Sequence, residues 1–189
     1  TVPAKALVNF AQYNNDPEVV LEVQEGTRLK CVSKRARAMI AGEAASEYPS
    51  IAEIDRQTSF SLDAAPLLRA LELVTFAAAR TTLRPVLSGV SVRSSEGQLI
   101  LVATDSYRLS EYKIPTDAGS EQIACIIPVK ILDEVRSALG AAKKGEGSGN
   151  APSRVAIALS KQQVEIRVGE TRLSSRLIDG KFPNYEQIV

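Results

Sequence analysis

Two stretches of this chain open on the same phrase. Val2-Pro3-Ala4-Lys5-Ala6-Leu7 begins one, and Ile127-Pro128-Val129-Lys130-Ile131-Leu132 begins the other. In each, a proline follows apolar residues and precedes a helical pattern, where its missing amide donor costs nothing. Polar residues then fall at matched offsets: Lys5, Asn9 and Gln12 in one stretch, Lys130, Glu134 and Ser137 in the other. An i, i+4, i+7 spacing places each set on one helix face. The opposite face is apolar, with Leu7, Phe10 and Ala11 in the first helix and Ile131, Val135 and Leu139 in the second. Strand patterns follow both helices. Val19 to Val23, a turn at Glu25-Gly26 and Leu29 to Val32 read as a hairpin. Val155 to Leu159 and Val164 to Val168 alternate in the same way, turn at Gly169-Glu170 and continue through Leu173 to Ile178. Each stretch closes on an aromatic-proline pair, Tyr48-Pro49 or Phe182-Pro183, which favours an extended exit. The chain is thus a repeat of β-α-β-β-β units.

A further unit lies between the two. Phe60-Ser61-Leu62 reads as a strand, and Asp63 suits the N-cap of a helix running to about Thr75, with Pro66 in its first turn. Val90 to Val92 and Leu99 to Val102 flank a turn at Ser94-Ser95-Glu96-Gly97, and Arg108 to Tyr112 gives another short strand. Lys143 to Ser153 has loop composition and sits where the last unit is longer than the first.

Composition narrows the function. Of 189 residues, 44% are hydrophobic but only 5% aromatic, so cores must be built from Leu, Ile, Val and Ala. The net charge of +1 argues against a strongly basic nucleic-acid module. No run approaches the ~18 apolar residues of a membrane span, and Thr1-Val2-Pro3-Ala4-Lys5 does not resemble a signal peptide. Cys31 and Cys125 lie in apolar runs without partner spacing and read as buried small hydrophobes of a reducing cytoplasm. There is no histidine, which removes the commonest general base and metal ligand. Neither a metal site nor a cofactor is expected, and no glycine-rich phosphate loop is present. Asp105 is the one carboxylate that could act as a catalytic base, as in a hydrolase on a repeated β-α-β scaffold; pairing with Arg108 or capping competes with that role. A stand-alone interaction module is the other alternative.

Three segments carry a family resemblance. Leu83-Arg84-Pro85-Val86-Leu87-Ser88-Gly89-Val90, Val102-Ala103-Thr104-Asp105-Ser106-Tyr107-Arg108-Leu109 and Arg176-Leu177-Ile178-Asp179-Gly180-Lys181-Phe182-Pro183-Asn184-Tyr185 resemble, in order, three segments of the bacterial DNA polymerase sliding clamps. The resemblance covers the whole chain. It implies an α+β DNA clamp fold of repeated β-α-β-β-β units, antiparallel sheets outside and helices lining the inner face. It also implies that residues 1–56 are the C-terminal half of clamp domain 1 and 57–189 clamp domain 2, the third domain lying outside this chain. Ser106 stands where the family has Gly; a positive φ there would cost about 1 kcal/mol.

What the resemblance implies for function is a cytoplasmic, non-catalytic processivity subunit, closed with a second subunit into a homodimeric ring. The ring would hold double-stranded DNA topologically, without base readout, and so needs only scattered phosphate contacts. Lys5, Arg69, Lys130 and Arg136 on helices, with Arg80 and Arg84 in a loop, are the DNA-facing candidates; each is equally readable as a solvated surface residue. Polymerase subunits and the clamp loader would insert a short hydrophobic peptide at Leu87, Thr104, Ser106, Tyr107, Arg108, Leu109, Pro183 and Ile188. Leu87, Leu109 and Ile188 are also readable as ordinary core, whereas Tyr107 and Arg108 suit an interface better.

Overall fold

Both proline-lysine phrases open helices, with the lysine as the second helical residue in each. The computed structural model describes residues 1–48, 54–81, 83–116, 122–144 and 152–187. The chain divides into two compact units, Thr1–Ala52 and Glu53–Val189.

In the first unit, Pro3 caps α1 (Ala4–Gln12) with extended backbone, and its carbonyl accepts from the amides of Ala6 and Leu7. Three antiparallel strands follow: β1 (Val20–Gln24), β2 (Arg28–Val32) and β3 (Arg37–Ala41), paired in that order. Thr1 exchanges backbone hydrogen bonds with Glu43, which fixes the start of the chain beside the end of β3. A short helix on a three-stranded sheet encloses little. Cys31 and Ile40 are the only buried hydrophobic residues among those described here, while Val20, Leu21, Val23 and Met39 stay exposed. Leu7 and Phe10 are half-buried, and Ala11, expected on the apolar face, is exposed.

The second unit is two β-α-β-β-β repeats in tandem. The first comprises β4 (Thr58–Asp63), α2 (Ala64–Val74), β5 (Gly89–Ser95), β6 (Gln98–Thr104) and β7 (Leu109–Pro115). The second comprises β8 (Ala124–Pro128), α3 (Val129–Lys144), β9 (Arg154–Leu159), β10 (Gln163–Val168) and β11 (Thr171–Arg176). Each repeat lends its opening strand to the other. One sheet runs β11-β10-β9-β4 and the other β7-β6-β5-β8, all antiparallel. The exchange ties the repeats into one body with a shared core.

That core follows from period-two alternation. Leu99, Leu101 and Ala103 of β6 and Val164, Ile166 and Val168 of β10 face inward and meet Leu67, Leu71 and Val74 of α2 and Val135 and Leu139 of α3. Each buried Leu, Ile or Val contributes about 1.5–3 kcal/mol. Asp63 occupies the N-cap of α2 but makes no side-chain cap bond; its carboxylate lies 3.8 Å from Arg154 instead. Cys31 and Cys125 are free thiols, and burial pushes Cys125 up to about 12. Among the described residues no helix is long and apolar enough to cross a membrane.

Candidate functional site

The turn between β6 and β7 is held by a compact set of polar contacts. Asp105 Oδ1 accepts from the amides of Tyr107 (3.0 Å) and Arg108 (3.1 Å), and Oδ2 receives Arg108 Nε at 3.1 Å. The Tyr107 amide, helped by the Arg108 amide and guanidinium, holds the Asp105 carboxyl below the usual carboxylate range. Thr104 Oγ1 donates to the Arg108 carbonyl (2.7 Å) and accepts from the Ser106 amide (3.2 Å). Ser106 has φ 78°, so the position that carries Gly in the resembling family is left-handed here too. Asp105 is therefore a brace, ionised and spoken for, and lacks the raised affinity for protons that a general base needs.

This brace presents two side chains. Tyr107 is 98% exposed. Arg108 lies over the ring of Phe76, 5.4 Å from its centroid, and Phe76 sits in the 3-10 turn after α2, itself half-exposed. Nothing in the sequence marks Phe76; only the packing of α2 on β7 brings it to Arg108.

Beside the turn, the chain after β11 straps the outer face of the β7-β6-β5-β8 sheet. The Ile178 amide donates to the Ile126 carbonyl at 2.9 Å, and the Leu177 amide to that of Gln162 at 2.8 Å. Gly89 and Gly180 let the strap come close: a Cβ on Gly89 would lie 2.8 Å from Ile178 Cδ1, and one on Gly180, at φ 130°, 2.6 Å from Val86 Cγ1. Tyr185 is buried on Ile100 and Val102, with Leu109 and Phe182 packed alongside. Its hydroxyl donates to Glu111 Oε2 (2.6 Å) and accepts from Arg93 Nη2 (3.1 Å), while Arg93 also meets Glu186 at 2.7 Å. Phe182, Tyr185 and Arg93 extend the candidate set. The aromatic residues were visible only as part of the strap motif.

Of the expected peptide-site residues, Thr104, Ser106, Tyr107, Arg108 and Leu109 thus share one turn. Leu109 joins the strap cluster, and Pro183, exposed, follows Phe182. Leu87 is buried at 3% in the 3-10 turn Pro85–Ser88, one residue from the Val86 that meets Gly180; it stands outside the cluster formed by Leu109. Ile188 lies outside the described residues.

The helices carry the other set. Lys5 on α1 and Lys130 on α3 are exposed, as is Arg84, and none of the three has an ion pair among the described residues. Arg69 meets Glu72 at 3.5 Å. Arg80 and Arg136 share Asp133, each at 3.2 Å, and Arg136 also donates to the buried Thr75 hydroxyl. Pairing with Glu72 and Asp133 offsets part of the positive charge carried by Arg69, Arg80 and Arg136.

A repeated β-α-β-β-β body with exchanged opening strands, helices on one side of its sheets and a strapped aromatic patch on the other defines a class of architecture. The model of the family described as "DNA polymerase III beta subunit, central domain" matches residues 61–184, and the chain belongs to that family. It is 29% identical over 191 residues to the beta sliding clamp of Pseudomonas aeruginosa, covering 100% of this chain and 49% of that protein. The crystal structure of the DNA polymerase III subunit beta from the same organism aligns with TM-score 0.79 at 27% identity, covering 100% of this chain and 49% of that one. The sliding clamp of Bacillus subtilis aligns with TM-score 0.80 at 25% identity, covering 100% and 47%. The chain spans about half the length of the relatives it matches.

Proposed function

We propose that this chain is the working middle of a DNA sliding clamp, a non-catalytic subunit that encircles duplex DNA and tethers polymerases to it. In this reading, residues 1–56 are the C-terminal half of clamp domain 1 and 57–189 are clamp domain 2. A ring of two subunits holds DNA by topology, so its wall needs only scattered cations facing phosphates. Lys5, Arg69, Arg80, Arg84, Lys130 and Arg136 fit that need. Partial neutralisation by Glu72 and Asp133 suits sliding, because many unopposed contacts would hold the ring in place.

Polymerase subunits and the clamp loader dock on the outer face. The observation that carries this is the meeting of the Thr104–Leu109 turn with the strap. Leu109, Phe182 and Pro183 supply apolar surface at about 25 cal/mol per Å² buried. Arg108, held by Asp105 and Phe76, supplies a fixed donor array to orient a peptide backbone or carboxylate. Leu87 and Ile188 belong to the site by family resemblance alone. A labelled hydrophobic clamp-binding peptide titrated into the chain tests this: Leu109→Ala should weaken binding several-fold. Equal affinity for the two proteins would refute the docking role.

A further inference from the structure

The two sheets of the second unit are built alike and finished differently. The outer face of β7-β6-β5-β8 carries an apolar cluster under the strap, with Arg93 and Glu111 beside it. The outer face of β11-β10-β9-β4 is small and basic. By register, Ser59 and Ser61 of β4 stand beside Ala158 and Ala156 of β9, and Glu165 and Arg167 of β10 stand next in line. On β11 the outward positions are Arg172, Ser174 and Arg176, all exposed.

Charge on this face is lopsided. Glu165 is 2% exposed, and three guanidiniums converge on it: Arg172 at 2.7 Å, Arg167 at 2.8 Å and Arg56 at 3.6 Å. One carboxylate cannot neutralise three arginines, and Arg176 adds a cation with no ion pair among the described residues. The whole chain carries only +1, so this one face holds more positive charge than the molecule's total surplus. Arg56, Arg167 and Arg172 are about half-exposed. Between Arg56 and Arg167 lies a concavity of about 230 Å³ floored by the serines and alanines.

We infer that this face is a docking surface for an extended acidic segment of a partner protein, whose carboxylates pair with Arg56, Arg167, Arg172 and Arg176. Arginine forks match carboxylates in two-pronged geometry. The small-residue floor is two strands wide, about 10 Å, which admits one extended chain. Its outward positions hold no aromatic ring on which unpaired bases could stack, which disfavours single-stranded nucleic acid. The surface lies across the sheet from α3, so a partner here leaves the helix face free.

The test titrates a labelled oligo-glutamate peptide into the full chain, with single-stranded and duplex oligonucleotides of equal charge alongside. Arg56→Gln/Arg176→Gln leaves Glu165 paired with Arg167 and Arg172, so the fold should hold. It should weaken the peptide about tenfold or more. Ala156→Glu, which puts a like charge on the floor, should abolish binding, and Arg84→Gln/Lys130→Gln should leave it unchanged. The inference is overturned if the peptide does not bind, if the helix-face variant weakens it equally, or if the sheet-face variants affect the oligonucleotides more than the peptide.

Discussion

Arg108 lies 5.4 Å above the ring of Phe76 while its Nε is held by Asp105 at 3.1 Å. Two elements distant in sequence, the end of α2 and the β6–β7 turn, thus fix one guanidinium on the outer surface. If this arrangement orients a docked peptide, Arg108→Ala should weaken binding by about 1–3 kcal/mol. The side chain is 56% exposed, so the melting temperature should move little. Affinity and melting measured on the same preparation separate the outcomes. A loss of affinity accompanied by a large drop in melting temperature would make Arg108 structural.

Ser106 holds a left-handed backbone at φ 78°. Ser106→Gly relieves that conformation and keeps the amide bond to Thr104 Oγ1, so it should stabilise the second unit by about 1 kcal/mol. Urea unfolding read at two probes checks it.

Tyr185 carries a pH signature. Its hydrogen bond is the main cause holding Glu111 below the usual glutamate range, with Lys113 and Arg93 assisting. A carboxyl depressed on folding adds stability that is present above its unfolded value and lost as pH falls through the folded one. Tyr185→Phe removes the bond and should cost about 1–2 kcal/mol at neutral pH. The gap from the parent chain should narrow in acid below the ordinary glutamate range. A gap that stays constant with pH would show that Glu111 is not coupled to the strap.

The two units should differ in local stability. The first buries Cys31 and Ile40, whereas the second closes a continuous core around Leu71, Val135 and Ile166. Amides of β1 to β3 should therefore exchange through openings of lower free energy than those of β5, β6 and β10. Native-state hydrogen exchange resolves them; equal protection in both would contradict the burial argument.

Much of this architecture is legible in the sequence. The proline-lysine phrases located α1 and α3, and alternation located nearly every strand, because both signals are local. The strand exchange was not. Nothing in the period-two pattern of Phe60 to Leu62 distinguishes β9 from β5 as its neighbour; that choice is made by the shared core. No strand is expected over β3, where Ala, a weak strand former, fills two of the five positions. The Thr104–Leu109 turn was named through resemblance, but its brace of Asp105, Thr104 and Phe76 depends on distances that no spacing rule encodes. The arginine face escaped notice because Arg56, Arg167 and Arg172 are scattered along the chain and meet only around Glu165.

In the proposed function this chain helps to hold DNA by enclosure. The direct measurement uses a polypeptide of the relatives' full length that carries this segment, loaded onto closed circular duplex and washed in high salt. Retention on the circle, with release once the circle is cut, is the predicted result, since topology is insensitive to salt whereas phosphate contacts are not. Equal loss from circular and linear DNA, or retention on both, would contradict it.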